Sequence, residues 1–131
     1  MPHIRLEYSD DLQPLPDFAT VFAAVHTVLQ QTAGAAIPNA KSRAIAVDGY
    51  VGDGSPRNAF VHLSIELMEG RSTAVKAAVS DQCLAIVDAA FSEAAEHREL
   101  QITVAIADLE RATYRKLPEG TIPMPGDGAT H

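Results

Sequence analysis

Apolar and polar residues alternate from the third position onward. Ile4 and Leu6 stand against His3, Arg5 and Glu7, the period-two signature of an edge or half-buried strand. Ser9-Asp10-Asp11, Pro14 and Pro16 then mark a loop. Phe18, Val21, Phe22, Val25, Val28 and Leu29 follow at helical spacing and form one apolar stripe. Asp17 sits where a cap or first-turn acid is favoured, and Gly34 and Pro38 close the helix. After the basic knot Lys41-Ser42-Arg43, Ile45 and Val47 alternate with small residues and predict a second strand. The Gly-, Asp-, Ser- and Pro-rich stretch from 49 to 58 is a loop.

The clearest strand comes next. Ala59, Val61, Leu63, Ile65 and Leu67 share one face, with Phe60, His62, Ser64 and Glu66 on the other. Gly70-Arg71-Ser72 is a turn in which Ser72 can cap a second helix. That helix carries the stripe Val75, Val79, Cys83, Ile86, Val87, Ala90, Phe91 and Ala94, and is expected to end near His97-Arg98. Leu100, Ile102, Val104 and Ile106 predict a last strand. Three Pro and three Gly between Leu117 and His131 mark a tail, so the domain is expected over 1–117 and the tail over 118–131. The order strand–helix–strand occurs twice. It predicts an α+β fold: a duplicated βαβ, with parallel strands inside each half and a four-stranded sheet carrying both helices on one face. The other face is then left for other copies to cover.

A chain of 131 residues at 47% hydrophobic content fits one folded domain with a substantial core. A formal net charge of −7 argues against a general nucleic-acid binder, whose affinity comes from neutralising phosphates. A local basic cluster still leaves room for an anionic small molecule. No apolar run reaches membrane-spanning length and no charged-then-apolar leader is seen, so no membrane partner is expected and a cytoplasmic location is. The lone Cys83 forms no internal disulfide and reads as core. Five histidines, at 3, 26, 62, 97 and 131, lack metal-ligand spacing. His26 reads as a half-buried packing residue and His62 as a candidate interface residue. Gly52-Asp53-Gly54-Ser55 lacks the third glycine and following helix of a phosphate loop.

Pro2, behind only an initiator methionine, is the main chemical candidate. Proline is an ordinary residue at strand starts. Removal of Met1, usual before so small a residue, leaves a rigid secondary amine at the head of the first strand. Burial and nearby cations tune the pKa of such an amine. Arg71 opens a helix, where its charge opposes the macrodipole, so a purely structural role is less natural there.

Pro2-His3-x-x-x-Glu7-x-Ser9-Asp10, Lys41-Ser42-Arg43, Ala59-Phe60-Val61-His62 and Gly70-Arg71-Ser72 resemble, in order and spacing, the 5-carboxymethyl-2-hydroxymuconate delta-isomerases of the tautomerase superfamily. The resemblance covers roughly residues 2 to 117. It implies a homotrimeric, cofactor-free enzyme of aromatic acid catabolism that moves a proton along a conjugated enol acid. By the same resemblance Pro2 is the base. Arg71, with either Lys41 or Arg43, holds the substrate carboxylates, lysine without the bidentate fork of arginine. Two other readings stand beside it: another reaction on an unsaturated acid, and a non-catalytic oligomeric binding protein if Met1 is retained.

Overall fold

The structure, a computed structural model, describes residues 1–118. Beyond Pro118, the tail read from the sequence lies outside the described residues. The elements follow as β1 (His3–Ser9), α1 (Phe18–Ala33), β2 (Lys41–Val47), β3 (Asn58–Met68), α2 (Thr73–Ala90) and β4 (Glu99–Leu109), with short 3₁₀ turns at Ile37–Asn39 and Ala94–Glu96. The sheet order is β2-β1-β3-β4. β1 and β2 are parallel, β3 and β4 are parallel, and the halves meet in the antiparallel pair β1–β3. Each parallel pair needs a crossover, which the intervening helix supplies.

The expected duplication recurs in individual hydrogen bonds. Lys41 N–H donates to the Pro2 carbonyl at 2.9 Å, and at the matching place in the second half Glu99 N–H donates to the Arg57 carbonyl at 2.8 Å. At the other strand ends Asp10 N–H reaches Val47 O at 2.9 Å and Glu69 N–H reaches Leu109 O at 3.0 Å.

Register decides which face is core. Ile4 lies opposite Ile65 and Leu6 opposite Leu63, and all four are buried. Val104 and Ile106 extend the same layer from β4. Val21, Val25 and Leu29 of α1 and Val79, Cys83 and Val87 of α2 close over it. Gly34 ends α1 at φ 64°, a left-handed conformation that costs glycine little. Ser72 caps α2, its hydroxyl accepting from Val75 N–H at 3.2 Å. Asp17 occupies the N-cap position of α1, yet its carboxylate accepts from the Thr20 hydroxyl at 2.7 Å and not from a backbone amide.

Two expectations change. The second helix stops at Ala90, not near His97-Arg98. Phe91 and Ala94 are fully buried, but a turn and a 3₁₀ segment carry them there, so the apolar rhythm outlasts the helix. Arg98 does not close a helix end: its guanidinium donates to the carbonyls of Arg57 and Asn58 and pairs with Asp11 at 3.1 Å. In β2, Ser42, Ala44 and Ala46 are in register with the core-facing Ile4, Leu6 and Tyr8. Ile45 and Val47 therefore share the helix-free face with Lys41 and Arg43. His3, Arg5, Glu7, Phe60 and His62 also belong to that face, where Arg5 pairs with Glu7 at 3.7 Å.

Leu63, fully buried at the middle of β3, tests this layering. Leu63→Ala should lower the unfolding free energy by about 2–5 kcal/mol, read by urea denaturation at fixed protein concentration. A loss near zero would remove β3 from the centre of the core.

Candidate active site

One end of the sheet gathers the start of β1, the start of β2 and the end of β3. Continuing the β1–β3 register sets Pro2 beside Leu67, and Pro2 is buried. The Lys41 amide bonds the Pro2 carbonyl, and the Lys41 ammonium donates to the Asn39 carbonyl at 3.0 Å. The terminal amine of Met1 donates to the same carbonyl. Burial of that amine, together with the neighbouring charge of Lys41, lowers its pKa from 8.0 to about 5. Lys116 pushes in the same direction. With a pKa of about 5, the Met1 amine is predominantly neutral at pH 7.

Arg71 reaches the same end from the turn after β3. Its Nε donates to the Ala33 carbonyl at 2.9 Å and its Nη1 to the Met68 carbonyl at 3.0 Å. It thus ties the last turn of α1 to the end of β3, a structural role that its place at a helix start did not suggest. Burial lowers its pKa, Arg111 adds to that and Asp108 opposes it, but a guanidinium stays charged.

The other candidate cation stands apart. Lys41 is in register with His3, whereas Arg43 lies one step further along the open face, opposite Arg5. Lys41 acts on both the terminal amine and His3, whereas Arg43 acts on His3 alone. The structure therefore sets Lys41 beside the chain head, with Arg43 one step further along the open face, and turns the Arg71 guanidinium to the Ala33 and Met68 carbonyls.

Sequence reading missed two neighbours of this end. Tyr114, beyond β4, places its hydroxyl 2.7 Å from His3 Nε2, and Lys116 follows two residues later. The aromatic–basic run Tyr114-Arg115-Lys116 was the available signal. The remaining histidines have local roles. His26 Nε2 meets Ser42 Oγ at 2.6 Å, linking α1 to β2, and His62 Nδ1 meets Thr103 Oγ1 at 2.6 Å on the open face. Among the described residues no group of three or more His, Cys, Asp or Glu is arranged to hold a metal ion. No helix among them is long and apolar enough to cross a membrane.

Known proteins resemble this chain in sequence and in fold. A relative from Escherichia coli, 5-carboxymethyl-2-hydroxymuconate Delta-isomerase, is 27% identical over 110 residues, covering 83% of this chain and 87% of its own. The crystal structure of a 5-carboxymethyl-2-hydroxymuconate isomerase from Deinococcus radiodurans R1 superposes with a TM-score of 0.77 at 29% identity, over 88% of this chain and 87% of that one. A fused 4-OT symmetric trimer shares the fold at 17% identity, with a TM-score of 0.67 over 89% of this chain and 93% of that one. The family model for 5-carboxymethyl-2-hydroxymuconate isomerase matches residues 2–118, the whole of the double βαβ and the turn carrying Arg71, and the chain belongs to that family, within the tautomerase superfamily.

Proposed function

We propose that the protein is a cytoplasmic isomerase of aromatic acid catabolism that ketonises 5-carboxymethyl-2-hydroxymuconate, with Pro2 as its general base once Met1 is removed. The observation that carries this reading is the setting of the chain head. Burial and Lys41 hold the Met1 amine, one residue ahead of the proline nitrogen, well below its ordinary pKa, and a base working at neutral pH needs the same kind of setting. Met1 is itself buried, 7% exposed, so its removal opens space directly in front of the proline nitrogen. With Met1 in place that nitrogen is an amide and cannot take up a proton.

In the reaction Pro2 takes the proton of the 2-hydroxyl and returns it to the distal carbon of the conjugated system. Protons and electrons balance without a redox partner. The intermediate dienolate carries extra negative charge. Lys41 and the Nη2 edge of Arg71, which holds no hydrogen bond among the described residues, meet the carboxylates and that charge. Fixed cations in a partly desolvated site stabilise such an intermediate strongly. Assembly is proposed on the same footing: a homotrimer that covers the helix-free face, the fused 4-OT structure of the same fold being a symmetric trimer.

Three outcomes test this. Protein whose intact mass lacks Met1 should ketonise the enol at least about 10²-fold faster than protein retaining it or than Pro2→Ala. Its kcat/KM should rise with pH and level off, because only the neutral amine is a base. The limb should lie below 8.0, since burial and Lys41 both lower the pKa. Equal rates with and without Met1 would exclude Pro2 and favour a different base or a binding role.

Arg71→Ala should lower kcat/KM by about 10²-fold, from a charge-assisted contact worth roughly 1.5–3 kcal/mol. Lys41→Ala should cost more activity than Arg43→Ala; the reverse order would move the carboxylate contact to Arg43. Light scattering at micromolar concentration should give a trimer, and Ile45→Asp should dissociate it. A stable wild-type monomer would overturn the assembly.

A further inference from the structure

Beyond β4 the chain turns at Glu110, whose carbonyl accepts from the amides of Thr113 at 3.1 Å and Tyr114 at 3.0 Å. The next residue, Arg111, donates its N–H to the Glu69 carboxylate at 2.6 Å, which ties the turn to the end of β3. Tyr114 then comes back half-buried to the head of β1. Its hydroxyl lies 2.7 Å from His3 Nε2, and the two rings meet edge-on at 5.9 Å and 65°. His3 directly follows Pro2, and β1 is separated from β4 by β3. One side-chain bond therefore spans the intervening strand and fastens the chain beyond β4 to the first residues of the protein.

The groups around His3 decide which way that bond runs. The terminal amine faces it from the chain head, Lys41 and Arg43 from β2, Glu66 from β3 and Tyr114 from beyond β4. Burial first, and then the cations, hold its pKa below 6.5 against the opposing pull of Glu66. Burial and Glu66 keep the Tyr114 phenol protonated. Between two neutral partners the phenol is the stronger acid and the imidazole the stronger base. The phenol O–H therefore donates to Nε2, which leaves the imidazole proton on Nδ1.

We propose that Tyr114 is a positioning residue for Pro2: through its hydrogen bond to His3 it clasps the chain head to the sheet and so sets the proline nitrogen. This rests on reading Pro2 as the base. Chain termini fray unless something ties them down, and a base works only while it is held in reach of its proton. The clasp adds a fixed point at the residue next to Pro2. It has a second effect. An imidazole ordinarily titrates near neutral pH, and an imidazolium one residue from the amine would disfavour uptake of a proton there. A donor on Nε2 favours the neutral ring, so the amine keeps an uncharged neighbour.

The test is a double-variant cycle in the full, Met1-free chain, read by kcat and KM and by the NMR titration of His3. In the wild type the imidazole should carry its proton on Nδ1 and titrate below 6.5. Tyr114→Phe keeps the ring and removes only the hydroxyl. It should raise the His3 pKa, because the neutral ring loses its donor, and erase the preference for Nδ1. It should also lower kcat about three- to tenfold and leave KM within about twofold. His3→Ala should cost at least as much. His3→Gln, whose amide oxygen can still accept from the phenol, should recover part of that loss. His3→Ala combined with Tyr114→Phe should be no slower than His3→Ala alone, since Tyr114 acts through His3. An unchanged His3 titration or an unchanged kcat in Tyr114→Phe, or losses that multiply in the double variant, would each overturn the proposal. A fully active Pro2→Ala would remove the base reading and this one with it. An inactive Pro2→Ala beside an unaffected Tyr114→Phe would remove this one alone.

Discussion

The antiparallel register of β1 against β3 is the constraint on which the rest depends. Ile4 and Leu6 meet Ile65 and Leu63 at the centre of the sheet, all buried. A slip of one residue would turn Arg5 and Glu7 toward the helices and the aliphatic residues toward the open face. The cost of burying those charges makes the register effectively unique. Once it is set, Pro2 falls beside the end of β3, and the turn after β3 carries Arg71. The Met68 carbonyl then receives the Arg71 guanidinium, which also reaches the Ala33 carbonyl. Core packing and the placement of the chain head are therefore one consequence of one pairing.

That placement accounts for the electrostatics. A chain terminus is normally solvated, and its amine keeps its ordinary pKa. Here the amide of Lys41 bonds the Pro2 carbonyl, which brings the first residue of β2 against the first residues of the chain. Desolvation and cationic neighbours both disfavour protonation, so their effects on the amine add. Lys41 and Lys116 also place positive charge beside that amine on a chain of net charge −7.

Much of this was legible in the residues. The alternation of Ala59 through Leu67 reports directly on a strand with one buried face, and β3 follows it. The spacing Gly70-Arg71-Ser72 marked both the cap and the cation. Other features follow contacts that local periodicity does not encode. Phe91 and Ala94 keep helical spacing because they are buried, not because they are helical. Ile45 and Val47 face away from the helices, a position whose cover a single chain does not supply. Tyr114 meets His3 across nearly the whole sequence, and no pattern in either neighbourhood announces the other. Arg71's bond to Ala33 is long-range in the same way, which explains how a helix-start cation acquires a structural role alongside a candidate functional one.

The duplication sharpens the question of why only one end of the sheet is a candidate site. The two halves place equivalent backbone at both ends: the bond from Lys41 to Pro2 has its counterpart from Glu99 to Arg57. Residue for residue, Arg57 stands where Pro2 does and Glu99 where Lys41 does. The side chains break the equivalence. At the second end a recess is lined by Asp10, Asp11, Asp48, Tyr50, Asn58 and Arg98, and its arginine is already paired with Asp11. A polycarboxylate approaching there meets uncompensated negative charge. Equally, a mid-chain residue such as Arg57 has an amide nitrogen and offers no backbone base. Of two ends built alike, only the one holding the Met1 amine presents a backbone amine, and Lys41 stands beside it.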